Sequence, residues 1–202
     1  MKNKPKNQSG FSVLIIVLII LVCALVAGVG YKVYTASKSG KNNSSSNDTT
    51  ATKKIETELY AFNDDSSISK DSSVDNSGTT SGSDYYKIGS AGRIVITKAN
   101  INTYINDGVI FSASDPELSS KVNDKIVKTV LNPACINPKT IDVSGASNTV
   151  QLRAGTTESS GCYLLTAVNK NGIALSLYVN YSPTNTSVSK IAKSVADSFT
   201  IK

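Results

Sequence analysis

The sequence predicts an α+β protein in three parts: an N-terminal transmembrane helix, a disordered polar tether, and a small domain whose antiparallel sheet is covered by helices on one face. Three observations lead to this prediction. Residues 11–29 contain no charged side chain, residues 35–84 are mostly small polar or charged, and residues 85–202 alternate short apolar runs with turn residues. The last part has about the length of one ordinary domain.

The apolar run from Phe11 to Val29 is long enough to cross a bilayer. Its nineteen residues span roughly 28 Å as a helix, close to the thickness of the hydrocarbon core. A basic leader, residues 1–10, carries three lysines and predicts a cytoplasmic N-terminus. Tyr31 and Tyr34 follow the run, and we expect them to anchor the helix at the membrane interface, so that the anchor covers residues 11–34. The prediction is a single-pass protein of the cell membrane, with residues 85–202 outside the cytoplasm and membrane lipid as a partner.

Three fates compete for the apolar run. A cleaved secretory signal has a shorter apolar region, about 7 to 15 residues, followed by small residues. A lipoprotein signal would need a small residue before Cys23, where this chain has Val22. The remaining choice is an uncleaved anchor or a leader that is removed ahead of the helix.

Residues 6–14, KNQSGFSVL, resemble the class III signal of type IV prepilins and pseudopilins. In that family a short basic leader ends in Gly, and an aromatic residue then begins a long apolar helix. The resemblance covers about residues 1–34 and implies that a prepilin peptidase cuts between Gly10 and Phe11. It also implies that the helix packs against other pilin-like subunits. Ile15 stands where typical pilins place Glu, so the resemblance implies a minor pilin or pseudopilin of a bacterial surface.

Residues 35–84 predict a flexible, low-complexity tether. Their composition offers too little apolar surface to offset the entropy of an ordered chain. Ile55, Leu59 and Phe62 recur at i, i+4 and i+7, which indicates a helical turn or two within this tether.

The first half of the predicted domain suggests a β-meander. Apolar runs predict strands at Arg93 to Thr97, Ile101 to Ile105 and Val109 to Ser112. The residues Asn106-Asp107-Gly108 supply positive-φ turn chemistry before the third strand.

The second half predicts two helices and four strands. Residues 114–117 offer an N-cap, and a helix follows with apolar residues at 118, 122, 126 and 130 until Pro133 ends it. Strands are then predicted at 140–143, 149–153, 162–168 and 173–181, the last two joined as an antiparallel hairpin. A helix at about 187–197 would cover the sheet with Val188, Ile191, Val195 and Phe199.

The sequence predicts no enzymatic activity, no cofactor and no metal site. The chain contains no His, which removes the commonest general base and metal ligand. Asp107, Asp115, Glu117 and Asp124 cluster in sequence, but they suit a turn, the positive end of a helix dipole and a solvent-exposed helix face. Cys135 and Cys162 predict one disulfide outside the cytoplasm, with two unrelated buried thiols as the alternative.

Two further readings concern binding. Five tyrosines and three basic residues could form an aromatic and basic surface, although such tyrosines usually lie partly buried in sheets: Tyr85, Tyr86, Tyr163, Tyr178, Tyr181, Lys87, Arg93 and Arg153. Residues 85–202 carry a net charge of +5, which leaves nucleic acid open as a partner. The predicted function is a pilin-like protein that acts by assembly or contact. The alternative is an anchored binding or adhesion domain with no filament role, whose ligand the sequence does not identify.

Overall fold

The computed structural model describes residues 53–74, 78 and 80–202. Several predicted features lie outside this part of the chain. They are the leader with its cleavage position at Gly10 and Phe11, the apolar run, and the interface residues Tyr31 and Tyr34. Within the described ranges, no helix has both the length and the apolar character needed to cross a membrane.

The described residues form ten strands and three helices. In chain order they are β1 (Lys54–Glu56), β2 (Tyr60–Asn63), β3 (Ile68–Lys70), β4 (Gly82–Ile88), β5 (Gly92–Asn100), α1 (Ile101–Asn106), α2 (Leu118–Val130), β6 (Pro138–Ile141), β7 (Val150–Thr156), β8 (Gly161–Val168), β9 (Ile173–Tyr181), α3 (Thr186–Ser198) and β10 (Thr200–Ile201).

The strands pair into two antiparallel sheets. The larger has seven strands in the order β3-β4-β5-β9-β8-β7-β6, and the smaller has three in the order β1-β2-β10. Long registers join the central strands, from Gly92 opposite Tyr181 to Asn100 opposite Ile173 between β5 and β9. The predicted α+β class with an antiparallel sheet is confirmed.

Helices cover both faces of the large sheet, so the prediction of helices on one face is wrong. Successive strand residues point to opposite faces. In β8, Leu165 and Ala167 join the core cluster that includes Val188 and Val195 of α3. Leu164, on the other face, joins the cluster packed against residues of α2. The sequence suggested one covered face because only one side of β9 is uniformly apolar, but α2 covers the mixed side.

The first described strand begins at Lys54, well inside the predicted tether. β1, β2 and β3 all lie between residues 54 and 70, and Tyr60 and Phe62 are fully buried in the main core. Ile55 and Phe62 face each other across a strand pair, where the sequence had indicated a helical turn. The polar composition of residues 35–84 does not indicate these strands, because β2 pairs with the distant β10, whose Thr200 lies opposite Ala61. Such a distant partner leaves no local signal.

The predicted meander is also wrong beyond its first strand. Residues 101–106 form helix α1, in which Ile101 and Tyr104 are buried, and the Asn100 side chain accepts a hydrogen bond from the Asn102 N–H as an N-cap. Val109 to Ser112 forms no strand. Gly108 does adopt a positive φ of 68°, but it follows the end of a helix instead of closing a hairpin.

The later elements agree with the sequence. α2 begins at Leu118 and ends at Val130, ahead of Pro133. β6 to β9 lie at or near the predicted positions, and β8 and β9 form the predicted hairpin. α3 packs Val188, Val195 and the adjoining Phe199 into the main core, as expected.

Candidate functional site

The four carboxylates that cluster in sequence do not converge in the structure. Each pairs with a cation: Asp107 with Lys125 at 2.8 Å, Asp115 with Lys121 at 3.0 Å, Glu117 with Lys121 at 3.3 Å, and Asp124 with Arg153. Hydrogen bonds from Lys121 and from the Glu117 backbone hold the pKa of Asp115 below its ordinary value. Across residues 53–74, 78 and 80–202, no three His, Cys, Asp or Glu side chains form a group that could hold a metal ion.

The aromatic and basic residues do not form one surface either. Tyr86 faces the small sheet, where its ring meets Phe62 edge-on at 5.5 Å between centroids. Tyr178 lies on the opposite face, among the residues packed near α2. Lys87 and Arg93 both pair with the buried Asp71, at 3.1 and 3.9 Å.

Cys135 and Cys162 lie together beneath α2. Their Cα atoms are 5.2 Å apart and their Sγ atoms lie at bonding distance, so the positions are compatible with the predicted disulfide. Both residues are buried with Ala134 and Leu164. This pair is a packed core feature, away from solvent.

A cluster of charged and phenolic groups, missed from the sequence, is buried where the small sheet meets the large one. We call Tyr60, Asp84, Tyr86 and Lys98 the Asp84 cluster. β4 and β5 pair so that Asp84 faces Ile96, which places Lys98 two residues further along the same face. β2 packs over this face and brings Tyr60 to it. The Asp84 and Lys98 side chains are only 6% and 7% exposed.

The hydroxyl groups of the Asp84 cluster form a chain of hydrogen bonds in which each donor points towards Asp84. The Tyr60 hydroxyl donates to Asp84 Oδ2 at 2.7 Å. Because a phenol carries one proton, the Tyr86 hydroxyl is then the donor in its 2.9 Å contact with Tyr60. Lys98 Nζ lies 3.1 Å from the same Oδ2, and Lys70 Nζ lies 3.8 Å from Oδ1.

Burial keeps the Tyr60 phenol protonated. Desolvation raises the pKa of Tyr60 far above its ordinary value, and the hydrogen bonds with Tyr86 and Asp84 raise it further. Tyr60 therefore remains a phenol and a hydrogen-bond donor. Lys98, Lys70 and Tyr60 together stabilise Asp84 as a carboxylate.

The Asp84 cluster lies against a pocket of about 230 Å³, which we call the sheet-junction pocket. Its described lining residues come from the β1–β2 turn, from Gly78 ahead of β4, and from β4 and β5: Thr57, Glu58, Leu59, Tyr60, Gly78, Asp84 and Lys98. The β1–β2 turn is held internally, because Thr57 Oγ1 accepts from the N–H groups of Leu59 and Tyr60. The pocket thus combines a fixed turn with a buried ion pair.

The sequence contains one signal for this site. Lys98 continues the alternation of Ile94 and Ile96, so a strand extended past Thr97 places a lysine on the buried face. Its partner could not be found in the same way, since Asp84 lies at the end of a polar stretch that predicts a tether. A buried lysine needs an anion nearby, and only the fold shows which one.

A second buried polar set lies under α2 on the other face. Thr166 Oγ1 donates to Asn123 Oδ1 at 2.8 Å and contacts Ser176 Oγ at 2.9 Å, while Asn123 Nδ2 donates to the Gln151 carbonyl at 2.7 Å. These groups are neutral and they pair with one another or with the backbone. They serve to fix α2 on the sheet, whereas the Asp84 cluster holds charge beside a pocket.

Comparison with solved structures identifies the fold. The solution structure of cyanobacterial PsbP (CyanoP) from Synechocystis sp. PCC 6803 matches with a TM-score of 0.51 and 15% sequence identity, over 79% of this chain and 98% of that one. The Saccharomyces cerevisiae Ran-binding protein Mog1p matches with a TM-score of 0.41 and 6% identity, over 75% of this chain and 96% of the other. No family model and no curated protein matches the sequence. The described domain therefore has a PsbP-like fold, and identity this low carries no function with it.

Proposed function

We propose that this chain is a membrane-anchored, extracytoplasmic surface protein that acts by binding and contact through its PsbP-like domain, without catalysis. The observation that carries the proposal is the uncharged run from Phe11 to Val29 upstream of a domain that is folded from β1 onward. The run supplies an anchor. The domain supplies a surface and a pocket for recognition.

The distribution of charge supports this division of roles. Residues 53–202 contain fifteen Lys or Arg and fourteen Asp or Glu, a net charge of +1, whereas residues 1–52 contain six Lys and one Asp, a net charge of +5. The excess positive charge therefore accompanies the predicted span, where anionic lipid headgroups attract basic side chains. The charge argument for nucleic-acid binding by the domain loses most of its force once residues 53–84 belong to the domain.

The new domain boundary also shortens the tether. Eighteen residues, 35–52, separate the predicted anchor from the first described residue. As a flexible polar chain they would span roughly 21 to 25 Å.

Alkaline carbonate extraction of membranes tests the anchor. The full chain should remain in the membrane pellet, because transfer of an apolar helix of this length into water is strongly unfavourable. A variant with Leu18→Lys and Leu21→Lys should appear in the supernatant, since each lysine at the bilayer centre costs about 2.5 to 3.5 kcal/mol. Ser66→Lys, at an exposed loop position, is the control and should stay in the pellet. Release of the unmodified chain would overturn the proposal.

A second candidate function is a minor pilin or pseudopilin, favoured by the junction of the basic leader with Gly10 and Phe11. On this proposal a prepilin peptidase removes residues 1–10, and the helix then packs among other pilin-like subunits. Ile15 in place of the usual acid fits an accessory subunit better than a major one.

The N-terminal residue of the mature protein separates the two candidates. In a host with prepilin peptidase, the pilin proposal expects Phe11 as the first residue, and Gly10→Val should block the cut while Ser9→Ala leaves it intact. Retention of residues 1–10 in the unmodified protein would remove the pilin proposal and leave the plain anchor.

A further inference from the structure

An open groove separate from the sheet-junction pocket lies between helix α3 and the end of strand β2. We call it the α3–β2 groove. It encloses about 460 Å³ and is lined by Asn63, Lys190, Lys193, Ser194, Asp197 and Ser198. The α3 members follow Lys190 by three, four, seven and eight positions, so they share one face of the helix.

Hydrogen bonds between β2 and α3 hold the floor of this groove in place. The Asn63 N–H donates to Ser198 Oγ at 2.9 Å, and Asn63 Nδ2 donates to Ser194 Oγ at 3.3 Å. Ser198 Oγ donates in turn to the Ser194 carbonyl at 2.6 Å. Because a hydroxyl that accepts can also donate, Ser194 offers a proton to a molecule in the groove.

The α3 side of the groove carries a cation without an acidic partner. Lys193 pairs with Asp197 on the next turn of the helix. Lys190 is exposed, and no carboxylate among the residues that the structure describes pairs with it. Its ammonium therefore has three N–H donors to give to an anion.

Strand β1 brings a further lysine to the groove. Lys54 lies directly opposite Asn63 in the β1–β2 register, and the side chains of such a pair point to the same face. Glu56, further along β1, is paired with Lys202. With the two lysines and the aspartate of the groove, Lys54 gives a net charge of +2, and Asp65 in the loop after β2 reduces it to +1.

The described chain begins beside this groove. Lys53 is the first described residue of the domain, and its exposed side chain pairs with Asp64, the neighbour of Asn63, at 3.2 Å. The segment that follows the proposed anchor therefore enters the domain next to the groove. A phospholipid phosphate complements both the charge and the donors found there.

We propose that the α3–β2 groove binds the phosphate group of an anionic phospholipid in the membrane that holds the anchor. Lys190 and Lys193 donate to the phosphate oxygens from α3, Ser194 donates from the floor, and Lys54 adds positive charge from β1. This inference rests on the membrane anchor proposed above and adds a second, headgroup-specific membrane contact. Because the lysines are exposed, salt screens the contact.

Amine labelling of the full chain in nanodiscs, read by peptide mass spectrometry, provides the test. Lys190 and Lys193 should be labelled about threefold more slowly in discs with about 30% phosphatidylglycerol than in discs of phosphatidylcholine alone. Lys128 and Lys139, exposed on α2 and β6, should be labelled equally in both. The difference should disappear at about 1 M salt, where the Debye length is only about 3 Å.

Paired variants place the contact in the groove. The double variant Lys190→Gln, Lys193→Gln should remove the slowing of Lys54 labelling by phosphatidylglycerol. The double variant Lys128→Gln, Lys139→Gln is the matched control and should retain it. All four substitutions are at exposed positions, so both proteins should keep their fold, which circular dichroism checks.

Several outcomes would overturn the inference. They are equal labelling of Lys190 in the two kinds of disc, equal slowing of Lys190 and Lys128, and slowed labelling of Lys54 that persists in the groove double variant. Slowing of Lys190 by millimolar inorganic phosphate in phosphatidylcholine discs would identify a soluble ligand instead of a lipid. Failure of the unmodified chain to stay in the discs would refute the proposed function, whereas a retained chain with an equally reactive Lys190 would refute this inference alone.

Discussion

The Tyr60 hydroxyl is one of the donors that stabilise the buried charge of Asp84. It lies 2.7 Å from Oδ2, and the tyrosine has no exposed surface. At such a position the removal of one hydroxyl leaves a charged acceptor short of a partner.

Tyr60→Phe should lower the free energy of unfolding by about 1 to 3 kcal/mol, because the buried carboxylate of Asp84 loses one of its hydrogen-bond donors. Urea denaturation of the full chain, followed by circular dichroism, measures the change. Ser187→Ala removes an exposed hydroxyl and is the control, with little expected effect. Equal stability of Tyr60→Phe and the unmodified chain would show that Asp84 is satisfied without Tyr60.

The same tyrosine makes stability depend on alkaline pH. Burial raises the pKa of Tyr60 in the folded state, and burial with the Tyr163 contact raises the pKa of Tyr181 to about 12. A group whose pKa is raised on folding stabilises the protein fully below its unfolded pKa, near 10, and less as pH rises above that value. Unfolding free energy should therefore fall above about pH 10, and less steeply in Tyr60→Phe. Parallel pH profiles for the two proteins would contradict this account.

The residue that follows helix α2 has a backbone conformation that lowers the stability of the helix C-terminus. Leu131 has a φ of 51° and is 80% exposed. A β-carbon is unfavourable in this left-handed conformation, which usually belongs to Gly or Asn after a helix. Asn137 occupies the same region with φ of 52°, but Asn tolerates it.

Leu131→Gly should therefore raise the free energy of unfolding by about 1 kcal/mol, since the strained conformation is relieved and no buried surface is lost. Asn137→Gly is the matched control and should change stability by less than about half as much. Thermal denaturation of the full chain gives both values. A destabilised Leu131→Gly would mean that the exposed leucine contributes contacts that outweigh the strain.

Elements with their own periodicity could be predicted, and elements defined by distant partners could not. The spacing of Leu118, Val122, Ile126 and Val130 is sufficient to specify α2. Residues 101–105 fit both the two-residue repeat of a strand and the 3.6-residue repeat of a helix. Ile101 and Ile105 would lie on one face of a strand, while Ile101 and Tyr104 would share one face of a helix. The Asn100 cap decides for the helix.

The candidate functional site was even harder to predict from the sequence, because it joins residues from distant parts of the chain. Lys98 could be found by extending the alternation of β5, but Asp84 and Tyr60 lie in a stretch whose composition predicts a tether. They become a site because β2 is held in place by β10 at the other end of the domain. Contacts between residues so far apart in sequence carry no compositional signature.

The proposed disulfide between Cys135 and Cys162 would stabilise the domain as a whole. The two residues are 27 positions apart, and closing a loop of that length restricts the unfolded chain by about 3.5 kcal/mol on a chain-entropy model. We expect the oxidised protein to resist alkylation in denaturant until a reductant is added, and the Cys135→Ala, Cys162→Ala double variant to unfold at lower temperature. Cys23→Ala, outside the pair, is the control. Free alkylation of both cysteines without reductant would contradict the bridge and weaken the extracytoplasmic proposal.

We propose that the near-neutral PsbP-like domain lies outside the cytoplasm and that the positively charged N-terminal segment lies in the membrane. An amine-reactive reagent that cannot cross membranes, applied to intact cells and read by peptide mass spectrometry, tests this claim most directly. Lys170 and Lys190 are exposed in the domain and should be labelled without lysis, while lysines of a cytoplasmic marker protein remain unlabelled. Labelling of Lys170 and Lys190 only after lysis would place the domain inside the cell and contradict the account.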